Sequence, residues 1–331
     1  MLKRIYINNF RSFSDVEIGP FKRINLIAGL NNSGKTAFLE AIFLVLQRDD
    51  LPGKGSSKNR AANLPNLFRV FSPQADANQD FWLWLFRDKK HGDDIEISVS
   101  SNQAPEEGLI LTTKNPATIQ RVQTGALRHV GNLGSLKVLR PNQSSIHLPP
   151  AVFSSHPSDP VQDAIDYNRV ILKRGKKKVE ELLKQIDDRV EAIEAVQTTQ
   201  RPLIYADIGL PEMIPVTHLG EGFCRLLDIY SELIAGDTKV LLVDEVENGL
   251  HHTVMPTVWK GLINAVRELD VQIFATTHSA ECIFAADQAA RESKFNELNL
   301  IRLDRVEGQI KATIIEQKDL ATAKEFNWEL R

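Results

Sequence analysis

The stretch Gly29-Leu30-Asn31-Asn32-Ser33-Gly34-Lys35-Thr36 decides the fold. It fits the pattern G-x-x-x-x-G-K-[ST] and lies between a short apolar run, Ile24–Ala28, and a segment with helical periodicity that begins at Gly34. Glycines let the backbone curl around phosphate groups with its N–H groups pointing inward, and the helix N-terminus adds partial positive charge. Lys35 is expected to reach the β- and γ-phosphates, and the Thr36 hydroxyl is expected to ligate Mg²⁺. The stretch therefore predicts a nucleotide site.

The composition of the 331-residue chain is that of an ordinary globular protein. Its 40 Lys and Arg residues against 43 Asp and Glu residues give a net charge of −3, which excludes a polycationic nucleic-acid coat but leaves room for a local basic groove. No run approaches the ~18–20 apolar residues that span a bilayer, and the N-terminus lacks the apolar stretch of a secretory signal. Cys224 and Cys282 stand apart, as expected for reduced thiols. We therefore expect a cytoplasmic protein with no membrane segment.

A second acidic motif follows more than 200 residues later. Val240–Val243 is an apolar run that ends in Asp244 and Glu245, as in a Walker B element. Two adjacent carboxylates at the end of a buried strand repel each other unless a cation lies near them. Asp244 is expected to hold Mg²⁺ through water, and Glu245 to orient or deprotonate the attacking water.

The long separation of the two motifs is typical of nucleotide-binding cassettes of the ABC and SMC type, in which a lobe is inserted between them. Such cassettes also carry a signature segment at a helix start before Walker B, and Leu219-Gly220-Glu221-Gly222 resembles one, although its usual serine is replaced. The resemblance implies that this segment meets the γ-phosphate held by a second subunit. Cassettes also use a Mg²⁺-coordinating glutamine at a lobe junction, for which Gln74, Gln79 and other glutamines of the chain are candidates.

Three segments resemble the OLD-family ATPases (overcoming lysogenisation defect). The first is Asp244–His251, which matches the Walker B and D-loop pattern DE-x-E-N-G-L-H; the second is Thr276–Ser279, which resembles the segment that carries the switch histidine, His278. The third is Asn8–Phe13, which resembles the N-F-[RK]-S opening that OLD, SMC and RecF-type ATPases share. There Arg11 either contacts the nucleotide or is an ordinary solvated arginine.

The motifs and the resemblance together give a set of candidate site residues and two cofactors, ATP and Mg²⁺. The candidate catalytic residues are Glu245, His278 and Lys35. The candidate nucleotide contacts are Gly29, Asn31, Asn32, Ser33, Gly34, Lys35, Thr36, Arg11, Leu219, Gly220, Glu221 and Gly222. The candidate metal ligands are Thr36 and Asp244.

The pattern of apolar runs predicts an α/β fold with a mostly parallel sheet flanked by helices, and the motifs and the resemblance imply that it is an ABC-type P-loop ATPase head. An N-terminal antiparallel β portion and a helical insertion complete it. We divide the chain into a Walker A lobe (1–155), a helical insertion (156–200) and a lobe with signature, Walker B, D-loop and switch histidine (201–331). Apolar residues from Val179 to Ile193 recur at helical spacing and predict one amphipathic helix of roughly 20 residues.

The partners expected from the resemblance are a second copy of the chain in an ATP-sandwich homodimer or higher oligomer, and a separately encoded effector. Small ATPases of this kind commonly act with a nuclease or toxin in anti-phage defence, and the chain has no room after His278 for the TOPRIM nuclease domain of full-length OLD proteins. The alternative is a RecF- or SMC-like DNA-repair ATPase that binds DNA directly. The basic run 173–178 either contacts nucleic-acid phosphates or is a solvated helix start.

Overall fold

The computed structural model describes most of the chain and supplies the bounds of its helices and strands. The described residues are 1–47, 85–86, 94–102, 107–112, 127–133, 136–141, 148–154, 160–198, 201–235 and 237–320. The strands are β1 (Leu2–Phe10), β2 (Phe13–Ile18), β3 (Ile24–Ala28), β4 (Ile95–Ser101), β5 (Glu107–Thr112), β6 (Leu127–Leu133), β7 (Leu136–Pro141), β8 (Ala151–Ser154), β9 (Ala192–Gln197), β10 (Pro202–Asp207), β11 (Ile214–Pro215), β12 (Val240–Val243), β13 (Gln272–Thr276), β14 (Leu298–Val306) and β15 (Gln309–Glu316). The helices are α1 (Lys35–Leu46), α2 (Pro160–Leu172), α3 (Lys176–Lys184), α4 (Glu221–Ala235), α5 (Met255–Leu269) and α6 (Ala280–Glu292).

The strands form three sheets. The main sheet has the order β15-β14-β3-β13-β12-β8 and is parallel except for β15, which pairs antiparallel with β14. An antiparallel sheet with the order β2-β1-β4-β5-β7-β6 forms the N-terminal β portion, and β11-β10-β9 form a smaller antiparallel sheet. The predicted α/β architecture with a mostly parallel sheet is confirmed.

The main sheet is buried on both faces. Along β12, Leu241 and Val243 face the core built with helices α2 to α6, whereas Val240 and Leu242 face the core built with α1 and the N-terminal sheet. A strand buried on both sides needs apolar residues at every position, because successive side chains point to opposite faces. This is why β3 and β12 read as unbroken apolar runs.

The predicted helix across Val179 to Ile193 was wrong beyond Lys184. Helix α3 ends there, and residues 192–197 instead form β9, whose Ile193 pairs with Ala206 of β10. Val179 and Ile193 both enter the same core, so the apolar spacing is real. It spans two kinds of element because pairing with β10 overrides the helical period between them.

The division into segments 1–155, 156–200 and 201–331 stays a prediction. Strand β8 lies in the first segment and pairs with β12 of the third, while β9 of the second pairs with β10 of the third. Among the described residues, no helix has the length and apolar character needed to cross a membrane.

Candidate nucleotide-binding site

The loop between β3 and α1 depends on its two glycines. Gly29 has φ +151°, and a Cβ there would lie 2.3 Å from the carbonyl oxygen of Leu303; Gly34 has φ +91° at the start of α1. Residues with a side chain rarely adopt these φ values, and the Leu303 backbone and the Ser33 side chain leave no space for a Cβ at Gly29. The Ser33 hydroxyl is buried with no hydrogen-bond partner among the described residues. A curled backbone with an unused buried hydroxyl suits a bound phosphate chain.

Lys35 turns its ammonium group into this loop. Its Nζ donates to the carbonyl oxygens of Gly29 at 2.7 Å and Leu30 at 2.9 Å, and the residue is 5 % exposed. Burial lowers the pKa of Lys35, while the negative charges of Asp244 and Glu245 act in the opposite direction. The cation therefore lies where the phosphates of a bound nucleotide would need it.

Three oxygen-bearing side chains from distant parts of the chain meet at the carboxyl end of the sheet. Asp244 Oδ2 accepts a hydrogen bond from Thr36 Oγ1 at 3.0 Å, and Asp244 Oδ1 accepts one from Thr276 Oγ1 at 2.5 Å. A hydroxyl and one carboxylate beside a phosphate loop are the protein ligands of a Mg²⁺ ion that also binds phosphate oxygens and water. The described residues hold no group of three or more His, Cys, Asp or Glu that would cage a metal without nucleotide.

Glu245 lies beside His278 and is fixed from several directions. It has φ +50°, and its backbone N–H donates to Thr276 Oγ1 at 2.7 Å. Its Oε1 is 3.4 Å from His278 Nε2, and Asn248 Nδ2 donates to its Oε2. Both candidate side chains are partly exposed, so a water molecule can reach them.

The signature segment packs against the D-loop, the residues 245–250 that follow β12. Gly222, in the first turn of α4, lies so close to Gly249 that a Cβ on Gly222 would be 2.1 Å from the Gly249 carbonyl oxygen. Gly220 has φ +97°, and a Cβ there would meet no heavy atom within 4 Å. Leu219 is half-buried and Glu221 is exposed. One glycine of this segment is thus locked to the D-loop, and another faces open space.

Arg11 forms an ion pair with a residue of helix α1, which follows the phosphate loop. Its Nε is 3.0 Å from Glu40 Oε2, and Glu40 is a 3 % exposed residue of α1. Burial lowers the pKa of Arg11, and burial raises the pKa of Glu40 to about 8. Arg11 is therefore not a freely solvated arginine, and its contact with nucleotide stays a prediction.

Sequence reasoning missed several residues of this site, above all Arg225. This arginine of α4 is 2 % exposed, and its guanidinium donates to the backbone carbonyl of Asp244. Burial lowers its pKa, against the attraction of Asp228 and Asp244. An arginine at the fifth position of a helix carries no sequence pattern that separates it from a solvated one. Thr276 lies inside the histidine segment, but its role in holding the Asp244 carboxylate is visible only from their contact in the structure.

The basic run 173–178 is largely matched by acids. Lys173 Nζ is 2.8 Å from Asp237 Oδ1, and Lys176 and Lys178 pair with Glu194 and Glu268. Two of the candidate glutamines of the lobe junction, at positions 74 and 79, lie outside the described residues.

The fold and the site together define a P-loop ATPase head of the ABC and SMC type. The chain belongs to the family described as "AAA domain, putative AbiEii toxin, Type IV TA system", whose model matches residues 24–283.

Relatives and solved structures agree with this class. The chain is 25 % identical to an ATP/GTP phosphatase of Helicobacter pylori over 347 residues, which cover 89 % of this chain and 90 % of that protein. A short stretch of 39 residues is 51 % identical to the DNA replication and repair protein RecF of Nitrosococcus oceani and covers 11 % of it. The fold is similar to an Smc head bound to the C-terminal winged-helix domain of ScpA, with a TM-score of 0.61, 13 % identity and coverage of 97 % of this chain and 99 % of that one. It is also similar to the Smc head with an extended coiled coil from Pyrococcus furiosus, with a TM-score of 0.55, 11 % identity and 99 % coverage of both chains.

Proposed function

We propose that this chain is a Mg²⁺-dependent ATPase of the OLD-like kind, two copies of which enclose ATP and regulate a separately encoded nuclease or toxin in anti-phage defence. The observation that carries the proposal is the 3.0 Å hydrogen bond between Thr36 and Asp244, residues 208 positions apart. A hydroxyl at the end of a phosphate loop has no structural need for a Walker B carboxylate, whereas a shared Mg²⁺ requires both.

Each side chain of the site has a separate role in the proposed hydrolysis. The Lys35 ammonium binds the β- and γ-phosphates, and Thr36 and Asp244 are the residues that would hold Mg²⁺. When bound, this ion neutralises charge that develops on the phosphate oxygens. Glu245 orients or deprotonates the attacking water, and His278, 3.4 Å from it, accepts a hydrogen bond from that water or donates one to the γ-phosphate.

The exposed surfaces beside the site support a homodimer. Leu30 of the phosphate loop is 64 % exposed, and Asn31 and Asn32 next to it are also exposed. Gly220 offers open backbone at the start of α4, where N–H groups face outward with the positive end of the helix dipole. A loop that presents ATP and a helix start that can bind its γ-phosphate suit two copies placed head to tail.

The effector is the part of the proposal that comes from relatives. The family description joins an AAA domain with a toxin and a toxin–antitoxin system. An ATPase whose dimer opens and closes with hydrolysis has a movement with which to switch such a partner.

The Glu245→Gln variant tests the ATPase and the dimer together. We expect ATP affinity to stay within about twofold of wild type, turnover to fall at least about 100-fold, and the variant to elute as a dimer with Mg²⁺ and ATP. Glu268→Gln, the same change at an exposed ion pair with Lys178, is the matched control and should behave as wild type. Turnover at the wild-type rate in Glu245→Gln would remove this residue from the mechanism.

A DNA-clamping ATPase is the second candidate, favoured by the short but close similarity to RecF. It predicts ATP-dependent binding of duplex DNA that weakens steeply with salt. Lys173 of the basic run is paired with Asp237, which weakens its attraction for DNA phosphates. The Lys173→Glu/Lys177→Glu variant tests whether this run contacts DNA at all. Loss of DNA binding in this variant supports the groove, and binding that persists unchanged counts against it.

A further inference from the structure

Glu247 is a carboxylate of the D-loop that lies between the Walker B acids and the histidine segment. Its Oε1 accepts a hydrogen bond from the backbone N–H of His278 at 2.6 Å. Its own carbonyl accepts one from Leu250 at 3.0 Å, which closes a turn around it. Glu247 thus joins the D-loop to the residue that follows the end of β13 by two positions.

The second carboxylate oxygen of Glu247 lies in a cluster of charged groups. Glu247 Oε2 is buried with no hydrogen-bond partner among the described residues, and the charges of Asp244 and Glu245 lie nearby. Lys35 and Arg225 face the same cluster and attract it. Because a carboxylate oxygen buried without a hydrogen bond costs stability, its presence points to a role that a neutral side chain would not serve equally well.

The contact holds the backbone from which the His278 ring extends. The backbone of His278 is held by Glu247, and its imidazole Nε2 lies 3.4 Å from Glu245 Oε1. The other oxygen of Glu245 accepts the hydrogen bond from Asn248, the neighbour of Glu247 in the chain. Glu247 therefore lies at the centre of an arrangement that fixes Glu245 and His278 relative to each other.

We propose that Glu247 is a positioning residue, whose carboxylate oxygen fixes the backbone at His278 so that the imidazole meets Glu245. The inference rests on the proposed ATPase function. It makes Glu247, the second glutamate of the D-E-x-E run, a distinct part of the site, which acts through His278 and not on nucleotide. A displacement of the ring by even about 1 Å is enough to slow a chemical step about 100-fold.

Two substitutions separate the oxygen from the charge. Glu247→Gln keeps a carbonyl oxygen that can accept the His278 N–H, and Glu247→Ala removes both oxygen and charge. Glu268→Gln and Glu268→Ala are the matched controls, because that carboxylate is exposed and pairs with Lys178 on the surface.

Hydrogen exchange resolved to single amides tests the contact without nucleotide. In Glu247→Ala we expect the His278 amide to exchange at least about tenfold faster than in wild type, with Glu247→Gln close to wild type. The Thr277 amide, bonded to the Ile27 carbonyl of β3 at 2.9 Å, is the internal reference and should not change. Equal His278 exchange in wild type and Glu247→Ala would overturn the proposal, because the backbone would then be fixed by something else.

A double-mutant cycle with His278→Ala tests the consequence for turnover. We expect Glu247→Ala to lower kcat at least about tenfold with little change in KM, and to have less than about a twofold effect when His278 is already alanine. Effects that multiply would overturn the proposal, since Glu247 would then act on something other than His278. A wild-type protein with no ATP hydrolysis would refute the proposed function instead, and the exchange experiment would still decide whether Glu247 fixes His278.

Discussion

Replacing Gly222 with alanine tests the contact between the signature helix and the D-loop. The added Cβ would lie 2.1 Å from the Gly249 carbonyl oxygen, 2.6 Å from its carbon and 2.8 Å from Leu250 Cδ2. Ordinary contacts need more than about 3 Å, so the helix start and the D-loop must separate by about 1 Å. Neither side can yield by rotating a side chain, because the obstacle at Gly249 is backbone.

The expected cost follows from that displacement. Overpacking of this kind destabilises by about 1–3 kcal/mol, which lowers the Tm of a chain this large by roughly 1–4 °C. Because Glu245 begins the displaced D-loop, we expect kcat to fall about 100-fold, equivalent to about 2.7 kcal/mol, with ATP affinity unchanged.

Steady-state ATP turnover, a nucleotide-binding titration and a thermal melt give the three quantities. Gly308→Ala is the control, since Gly308 has φ +78° in the turn between β14 and β15 and a Cβ there meets no heavy atom within 4 Å. It should show a small loss of stability from backbone strain and full turnover. Wild-type turnover and melting in Gly222→Ala would mean that the two segments are not packed as described.

Three further changes probe buried polar groups, two at the site and one farther along α4. Thr276→Val removes the hydroxyl that bonds to both the Asp244 carboxylate and the Glu245 N–H, so turnover should fall at least about tenfold. Thr276→Ser keeps the hydroxyl and should retain most of the turnover, and equal rates in all three proteins would contradict this. Arg225→Met leaves the Asp244 carbonyl without its donor and should cost about 1–3 kcal/mol in urea unfolding, and Arg225→Lys should restore only part of it. Burial raises the pKa of Glu232 to about 7 from an ordinary 4.5, so the native state binds this proton more tightly than the unfolded state does. The resulting contribution to the free energy of unfolding is fully present below pH 4.5 and is lost as the pH rises through 7. Glu232→Gln should therefore gain up to about 3 kcal/mol relative to wild type between pH 5 and pH 8 by urea unfolding, and parallel pH profiles would contradict the assignment.

The elements predicted best are those that burial dictates locally. The bounds expected for β3 and β12 agree with the structure, because a strand covered on both faces must be apolar throughout and ends where the chain turns polar. Helix α6 (Ala280–Glu292) was missed, since its many alanines and scattered charges give weak periodicity although Ser279 caps it.

The site residues also fall into those that local sequence predicts and those that only the packed structure shows. Its loop, acids and histidine are carried by short motifs whose chemistry requires those residue types, so the sequence is enough to find them. Arg225 and Glu247 act through single contacts with backbone groups 19 and 31 residues away. Such contacts depend on how helices and strands pack. The D-E-x-E-N-G-L-H pattern includes Glu247, but it does not show which backbone group the carboxylate contacts.

The strand order also bears on how the chain folds while it is being synthesised. Strand β3, which leads into the phosphate loop, has β13 and β14 as its neighbours in the main sheet. More than 240 residues separate its end from the start of β13, so at ribosomal rates of about 5–20 residues per second β3 waits roughly 10–50 s for its first partner in the sheet. During that time an apolar strand at the centre of the future sheet has unpaired edges, which makes the nascent chain a substrate for chaperones and a hazard for aggregation.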